Sequence, residues 1–243
     1  MKDYITASRA PRYSLLYALP LLLLYEGSSF ALTASAYEGV RNGADVVLKS
    51  CFLALGGRYG LTAFNVALLG IGTVLVWRDR RRNRGALAGR VFTAMFAESA
   101  VYAALFGLVV GWLTMLVLPD AALRIGGAPL DVPTQLVVSL GAGIYEELLF
   151  RVILTGGLLW LLRAALAMQP ASAAIGAVLV SALIFSAFHY VGALGDRFTV
   201  ASFTFRAIAG VAFSVLYVTR GLGITAWTHA LYDVGITMMG IGD

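Results

Sequence analysis

Two adjacent glutamates and an arginine lie inside an apolar stretch of the sequence. Glu146, Glu147 and Arg151 interrupt a hydrophobic run over residues 136–162. Ionisable groups in such a run are costly and usually face a protein or water-filled interior. On an α-helix, Glu147 and Arg151 share one face in the favourable order for an ion pair. Glu146 points about 100° away, and is left to face the interior as a candidate general base. The alternative is a buried ion-pair network of all three that holds helices together.

The two histidines of the chain lie in other apolar segments, each four residues from a second side chain of interest. His189 follows Phe185, and His229 precedes Asp233. Imidazole titrates near neutral pH, so His189 could share a proton with Glu146. Asp233 lies on the same helical face as His229, and could hold that imidazole in one tautomer. Each motif alone is also compatible with a packing role, but together they concentrate the acid–base groups on three segments.

The composition predicts a membrane protein. Of 243 residues, 60% are hydrophobic and 13% are charged, whereas soluble domains carry about 25% charged residues. Cys51 is the single cysteine, which excludes an internal disulfide and a site built from several cysteines. The net charge of +5 comes mostly from arginines near segment ends, which favours contact with anionic membrane lipids rather than nucleic acid.

The apolar segments predict an all-α fold, a polytopic transmembrane helix bundle of seven or eight spans. A spanning helix needs about 20 apolar residues. Seven stretches meet or approach this length, at about 13–35, 60–77, 91–118, 134–162, 174–194, 198–219 and 223–240. Residues 44–57 are apolar but short, and could form an interfacial helix, a half-buried helix or an eighth span. We expect one bundle, with residues 1–133 as scaffold and residues 134–243 as the motif-bearing core.

Arginines predict the orientation of the bundle. Six of them crowd one short connection: Arg78, Arg80, Arg81, Arg82, Arg84 and Arg90. Such clusters remain on the cytoplasmic side of a membrane. Counting seven spans from this connection places the N-terminal basic residues Lys2, Arg9 and Arg12 on the same side.

The three motifs in their order along the chain resemble those of the CPBP family. These are Glu-Glu-x-x-x-Arg at 146–151, Phe-x-x-x-His at 185–189 and His-x-x-x-Asp at 229–233. The family includes type II CAAX prenyl proteases and bacteriocin-processing proteases. The resemblance covers about residues 134–240, and it implies an intramembrane glutamic-type endopeptidase.

The resemblance also implies roles for individual residues. Glu146, assisted by His189, would activate a water molecule, while His229 and Asp233 would stabilise the oxyanion. The supporting residues would be Glu147, Arg151 and Phe185. Several family members have Asn where this chain has Asp233. Because an ionised carboxylate offers only acceptors, Asp233 either acts in protonated form or only orients His229.

The expected substrate is a protein or peptide, lipidated or membrane-anchored, cleaved near its C-terminus or in a leader. No cofactor is expected, and the expected location is a bacterial or archaeal cell membrane. In a minority alternative, Glu146, His189 and His229 bind zinc as a His₂Glu set. In an alternative from another class, the same residues form the proton relay of a membrane transporter. A transporter would show matching halves with broken helices, whereas the motifs here are concentrated after residue 134.

Overall fold

The computed structural model describes residues 2–34, 41–119, 130–192 and 195–240, and no strand occurs among them. The all-α prediction is therefore confirmed for this part of the chain. The helices are α1 (Lys2–Arg9), α2 (Pro11–Ala34), α3 (Gly43–Gly56), α4 (Gly60–Arg82), α5 (Gly89–Val117), α6 (Val132–Gly141), α7 (Gly156–Ala164), α8 (Pro170–Phe188), α9 (Val200–Arg220) and α10 (Leu222–Met239). A 3₁₀ turn, Gly57–Tyr59, joins α3 to α4, and a π-helical segment, Ala142–Thr155, joins α6 to α7.

Five helical stretches are long and apolar enough to cross a membrane, which supports an integral membrane protein. They are Pro11–Leu32, Gly43–Arg82, Gly89–Val117, Pro170–Phe188 and Val200–Arg220. The predicted count of seven or eight spans is not confirmed. Helices also occupy the other two predicted spans, 134–162 and 223–240, but these stretches carry the polar motif residues and are not among the five.

The short length of residues 44–57 left three alternatives for this segment. In the structure it corresponds to a separate helix, α3. The chain turns sharply after α3, because Gly57 has a positive φ of 52°. A Cβ atom on Gly60 would lie 2.3 Å from the backbone oxygen of Phe52. The rings of Phe52 and Phe64 then pack edge to face, with centroids 5.3 Å apart. Therefore α3 folds back against α4 instead of continuing into it.

The helix that carries the two glutamates departs from α-helical geometry. Residues 142–155 are π-helical, with hydrogen bonds from residue i to i+5. Segments of this kind are rare and frequent at functional sites. Glu146, Glu147 and Arg151 all lie in this segment, so the angular positions expected from 3.6 residues per turn do not apply to them.

Two glycines bring other elements close to the π-helical segment. A Cβ atom on Gly143 would lie 2.6 Å from the backbone oxygen of Ala226 in α10. A Cβ atom on Gly141 would lie 2.6 Å from Cβ of Asn42, the residue before α3. Since neither glycine has a side chain, both contacts are close helix approaches of the kind that small residues permit.

One end of the bundle, which we call the arginine end, gathers the termini of several helices. Arg12 in α2 forms an ion pair with Asp79 in α4, at 3.0 Å. The backbone N–H of Ala88, just before α5, donates to the hydroxyl of Tyr13 at 2.9 Å. Arg220, the last residue of α9, donates from Nε to Glu98 Oε1 at 2.6 Å. The arginine cluster at 78–90 thus lies beside the beginning of α2 and the end of α9.

Candidate active site

Glu146 is buried, and its two carboxylate oxygens have different surroundings. Oε1 accepts a hydrogen bond from Asn42 Nδ2 at 2.8 Å. Oε2 has no hydrogen-bond partner among the described residues, and it lies 4.0 Å from His189 Nε2. Because hydrogen bonds to oxygen are about 2.8 Å long, a water molecule could contact both atoms at once. The arrangement can therefore polarise water between an acid and an imidazole.

His189 immediately follows α8 and is held in one orientation. Its Nδ1 lies 2.8 Å from the carbonyl oxygen of Phe185, which can only accept, so Nδ1 carries a hydrogen. In the neutral ring the lone pair is then on Nε2, which faces Glu146. The Phe185 ring packs against the imidazole at 4.8 Å, and the backbone N–H of Asp196 donates to the His189 carbonyl at 2.9 Å. The lone pair suited to assist Glu146 thus points toward it.

His229 lies between two carboxylates. Its Nδ1 is 2.7 Å from Glu147 Oε1, and its Nε2 is 3.4 Å from Asp233 Oδ2. The ring stacks on Phe213, with centroids 4.3 Å apart. Glu147 therefore does not serve Arg151 alone, as the spacing of the motif suggested, but also fixes the direction of an imidazole from α10.

Arg151 is fully buried beside Glu147, with Nε 3.3 Å from Glu147 Oε2. Its guanidinium carbon lies 4.4 Å from the ring centre of Phe185 and 5.4 Å from that of Phe213. Aromatic faces attract cations in this way. None of its three guanidinium nitrogens donates a hydrogen bond within the described part of the chain. The ion pair and the rings therefore hold this cation.

The structure brings together all seven side chains singled out in the sequence. Glu146 lies near His189, which packs on Phe185, and Phe185 packs on Arg151. The chain of contacts continues to the remaining three, Glu147, His229 and Asp233. Their catalytic roles remain predictions.

Asn42 is the site residue that the sequence did not reveal. Its side-chain oxygen accepts from the backbone N–H of Ala44 at 2.9 Å and caps α3, which leaves the amide N–H to donate to Glu146. An Asn just before an apolar run is a recognisable helix N-cap. That pattern does not show which distant group receives its N–H. Thus the N-terminal half, expected to be scaffold, also contacts the candidate base.

A polar network formed by residues of α2 and α3 holds Asn42 in place. The Tyr25 hydroxyl accepts from the Asn42 backbone N–H at 3.2 Å and donates to Asp45 Oδ2 at 2.8 Å. Lys49 forms ion pairs with Asp45 at 2.7 Å and with Glu26 at 2.9 Å. These contacts tie the beginning of α3 to α2.

The geometry gives no support to the zinc alternative. Over residues 2–34, 41–119, 130–192 and 195–240, no group of three His, Cys, Asp or Glu side chains is placed to hold a metal ion. In addition, both ring nitrogens of His229 face the carboxylates of Glu147 and Asp233. Neither nitrogen points to a position shared with Glu146 and His189.

Part of the chain matches a known protein family. Residues 128–235 match a family model described as type II CAAX prenyl endopeptidase Rce1-like. The matched region contains all seven side chains predicted from the three motifs, but not Asn42. No curated protein and no solved structure matches the chain.

Proposed function

We propose that this chain is a protease in which Glu146 activates the water for peptide hydrolysis, since residues 128–235 match the Rce1-like family of type II CAAX prenyl endopeptidases. The observation that carries this proposal is the free, buried Oε2 of Glu146 facing His189 Nε2 at 4.0 Å. Water between them would lose a proton to Glu146 as its oxygen bonds to the substrate carbonyl carbon. The proton would then pass to the leaving nitrogen as the C–N bond breaks.

His229 is our candidate for stabilising the carbonyl oxygen as it gains charge. Carboxylates beside both ring nitrogens, from Glu147 and Asp233, favour hydrogens on both. A cationic imidazole placed in advance in a low-dielectric site is an effective partner for a developing oxyanion. In this scheme Asp233 orients His229 and needs no proton of its own.

The transporter alternative has no support. The family match is to an endopeptidase. In addition, two other membrane glutamates that a relay could use belong to separate ion-pair networks, Glu26 with Lys49 and Glu98 with Arg220.

Metal chelation separates the glutamic mechanism from a zinc mechanism. The purified protein, in detergent or liposomes, would be offered a panel of peptides that correspond to prenylated tails, leader sequences and membrane anchors. We expect the rate of cleavage to be unchanged by a chelator, because Glu146 and His189 act on water directly in this scheme. The measurement is cleavage by mass spectrometry with and without chelator. Loss of cleavage that added zinc restores would contradict the proposal.

Asn42 should matter for the rate of the chemical step. By holding Oε1, it leaves Oε2 as the oxygen that takes the proton. Because a hydrogen bond to a charged group is worth about 1.5–3 kcal/mol, we expect Asn42→Ala to lower kcat by roughly tenfold to a hundredfold. KM should change little, since this bond is internal to the enzyme.

Asn42→Ser distinguishes the hydrogen bond by which Asn42 caps α3 from its hydrogen bond to Glu146. Serine still caps a helix, but it lacks the amide N–H that reaches Glu146. We expect this variant to unfold at the temperature of the wild type while its kcat stays low. Asn83→Ala, which removes an exposed Asn at the arginine end, is the matched control and should retain kcat. A serine variant with wild-type kcat would show that Asn42 only caps α3.

A further inference from the structure

The candidate active site lies well away from the arginine end. Arg12 marks that end through its ion pair with Asp79. Tyr25 lies thirteen residues further along α2 and contacts Asn42, the partner of Glu146. Thirteen helical residues rise about 20 Å. In a hydrocarbon layer about 30 Å thick, Glu146 therefore lies in the half farther from the arginine end.

Two residues of the site are at helix ends, which require polar surroundings. Asn42 immediately precedes α3, and His189 immediately follows α8. Helix ends leave backbone groups without helical partners, and hydrocarbon cannot supply partners. The side chains of His189 and Asp233 are 24% and 30% exposed, against 9% for Glu146. The surface of the site is thus formed where helices end.

Polar contacts hold the described residues on either side of the α8–α9 connection. Asp196 forms an ion pair with Arg206 in α9, and its backbone N–H holds the His189 carbonyl. The Tyr190 hydroxyl donates to Ser202 at 2.8 Å. Since α9 begins after this connection and ends at Arg220, at the arginine end, the connection lies at the opposite end of the bundle.

Basic residues are distributed unevenly between the two ends. The far end has five: Arg41 and Lys49, which pair with Asp45, Arg206, which pairs with Asp196, and the exposed Arg58 and Arg197. The arginine end has the larger set, which consists of Lys2, Arg9, Arg12, Arg78, Arg80, Arg81, Arg82, Arg84, Arg90, Arg163 and Arg220. An excess of Lys and Arg beside short connections marks the cytoplasmic side.

From depth, helix ends and charge, we infer that the active site opens to the extracytoplasmic face. Given the endopeptidase function proposed above, its substrate class is a membrane-anchored protein cut on that face, not a prenylated tail in the cytoplasm. With Glu146 about 20 Å from the arginine end, roughly 10 Å of hydrocarbon remains on the other side. An extended chain covers this in about three residues. The cleaved bond therefore lies about three residues inside the outer end of the anchor.

Cysteine labelling in intact bacterial cells tests the orientation without any need for activity. In a Cys51→Ser background, single cysteines replace Arg197 in the α8–α9 connection or Arg84 at the arginine end, both of which are exposed. We expect a membrane-impermeant maleimide to label the Arg197→Cys protein in intact cells, and the Arg84→Cys protein only after lysis. The reverse pattern, or equal labelling of both in intact cells, would overturn the orientation.

A second arm tests the opening itself. His189→Cys and Asp233→Cys, the partly exposed positions of the site, would be treated with a small impermeant thiosulfonate on either side of the membrane. Reaction from outside supports the inference, whereas reaction only from the cytoplasmic side, or no reaction, overturns it. A third outcome is that the cysteines react from outside but the wild-type protein cuts no anchored peptide. This result would refute the proposed function, while the site would still be shown to open to the extracytoplasmic face.

Discussion

Glu146→Gln is expected to lower kcat for peptide cleavage by about 10²–10⁴-fold, the usual contribution of general acid–base catalysis. Glutamine has the size of glutamate and can still accept from Asn42, but it cannot take a proton from water. Stability should not fall, because the substitution removes a charge from a buried position. The measurement is kcat at saturating peptide, together with the unfolding temperature of each protein in the same detergent.

Glu98→Gln is the matched control for this variant. Glu98 is also a glutamate in a membrane helix, but it pairs with Arg220 and accepts from Tyr4 at the arginine end. Its replacement should weaken the protein and leave the kcat of the folded fraction unchanged. Wild-type cleavage by Glu146→Gln would refute Glu146 as the base, and equal losses in both variants would point to a general effect on folding.

Arg151→Leu is expected to destabilise the protein by about 3–5 kcal/mol, the cost of removing one partner from a buried ion pair. The substitution leaves Glu147 without its cation, and the aromatic faces of Phe185 and Phe213 lose the guanidinium between them. Chemical unfolding in detergent, followed by tryptophan fluorescence, measures this loss. A further variant, Glu147→Gln combined with Arg151→Leu, should recover part of the stability because no unpaired charge remains.

Arg163→Leu provides the comparison, since Arg163 lies in the last turn of α7 and its side chain is exposed. Surface substitutions away from special features usually change stability by less than about 0.5 kcal/mol. A wild-type unfolding curve for Arg151→Leu would mean that the contacts of Arg151 with Glu147 and the two aromatic rings do not stabilise the protein.

The helices and the three motifs could be predicted from the sequence because both depend on short-range patterns. Apolar runs identify helices, and ionisable residues within them identify the side chains that must face one another. The π-helical geometry of residues 142–155 could not be predicted in this way. A shift from i+4 to i+5 hydrogen bonding leaves the apolar pattern helical, so the pattern does not reveal it.

Contacts between residues far apart in the sequence could not be predicted either. The spacing of Glu147 and Arg151 revealed their ion pair, but Glu147 has a second oxygen, and its partner His229 is 82 residues away. Asn42 is 104 residues from Glu146. The sequence around each of these residues shows a polar group in an apolar setting. Only the packing of α3 and α10 on the π-helical segment shows which groups meet.

The glycine at position 143 limits how a substrate can reach the catalytic groups. Because backbone touches backbone there, the π-helical segment and α10 cannot slide or separate without breaking the Glu147–His229 bond. We therefore expect these two elements to move together, which would keep Glu147 and His229 aligned while a substrate binds.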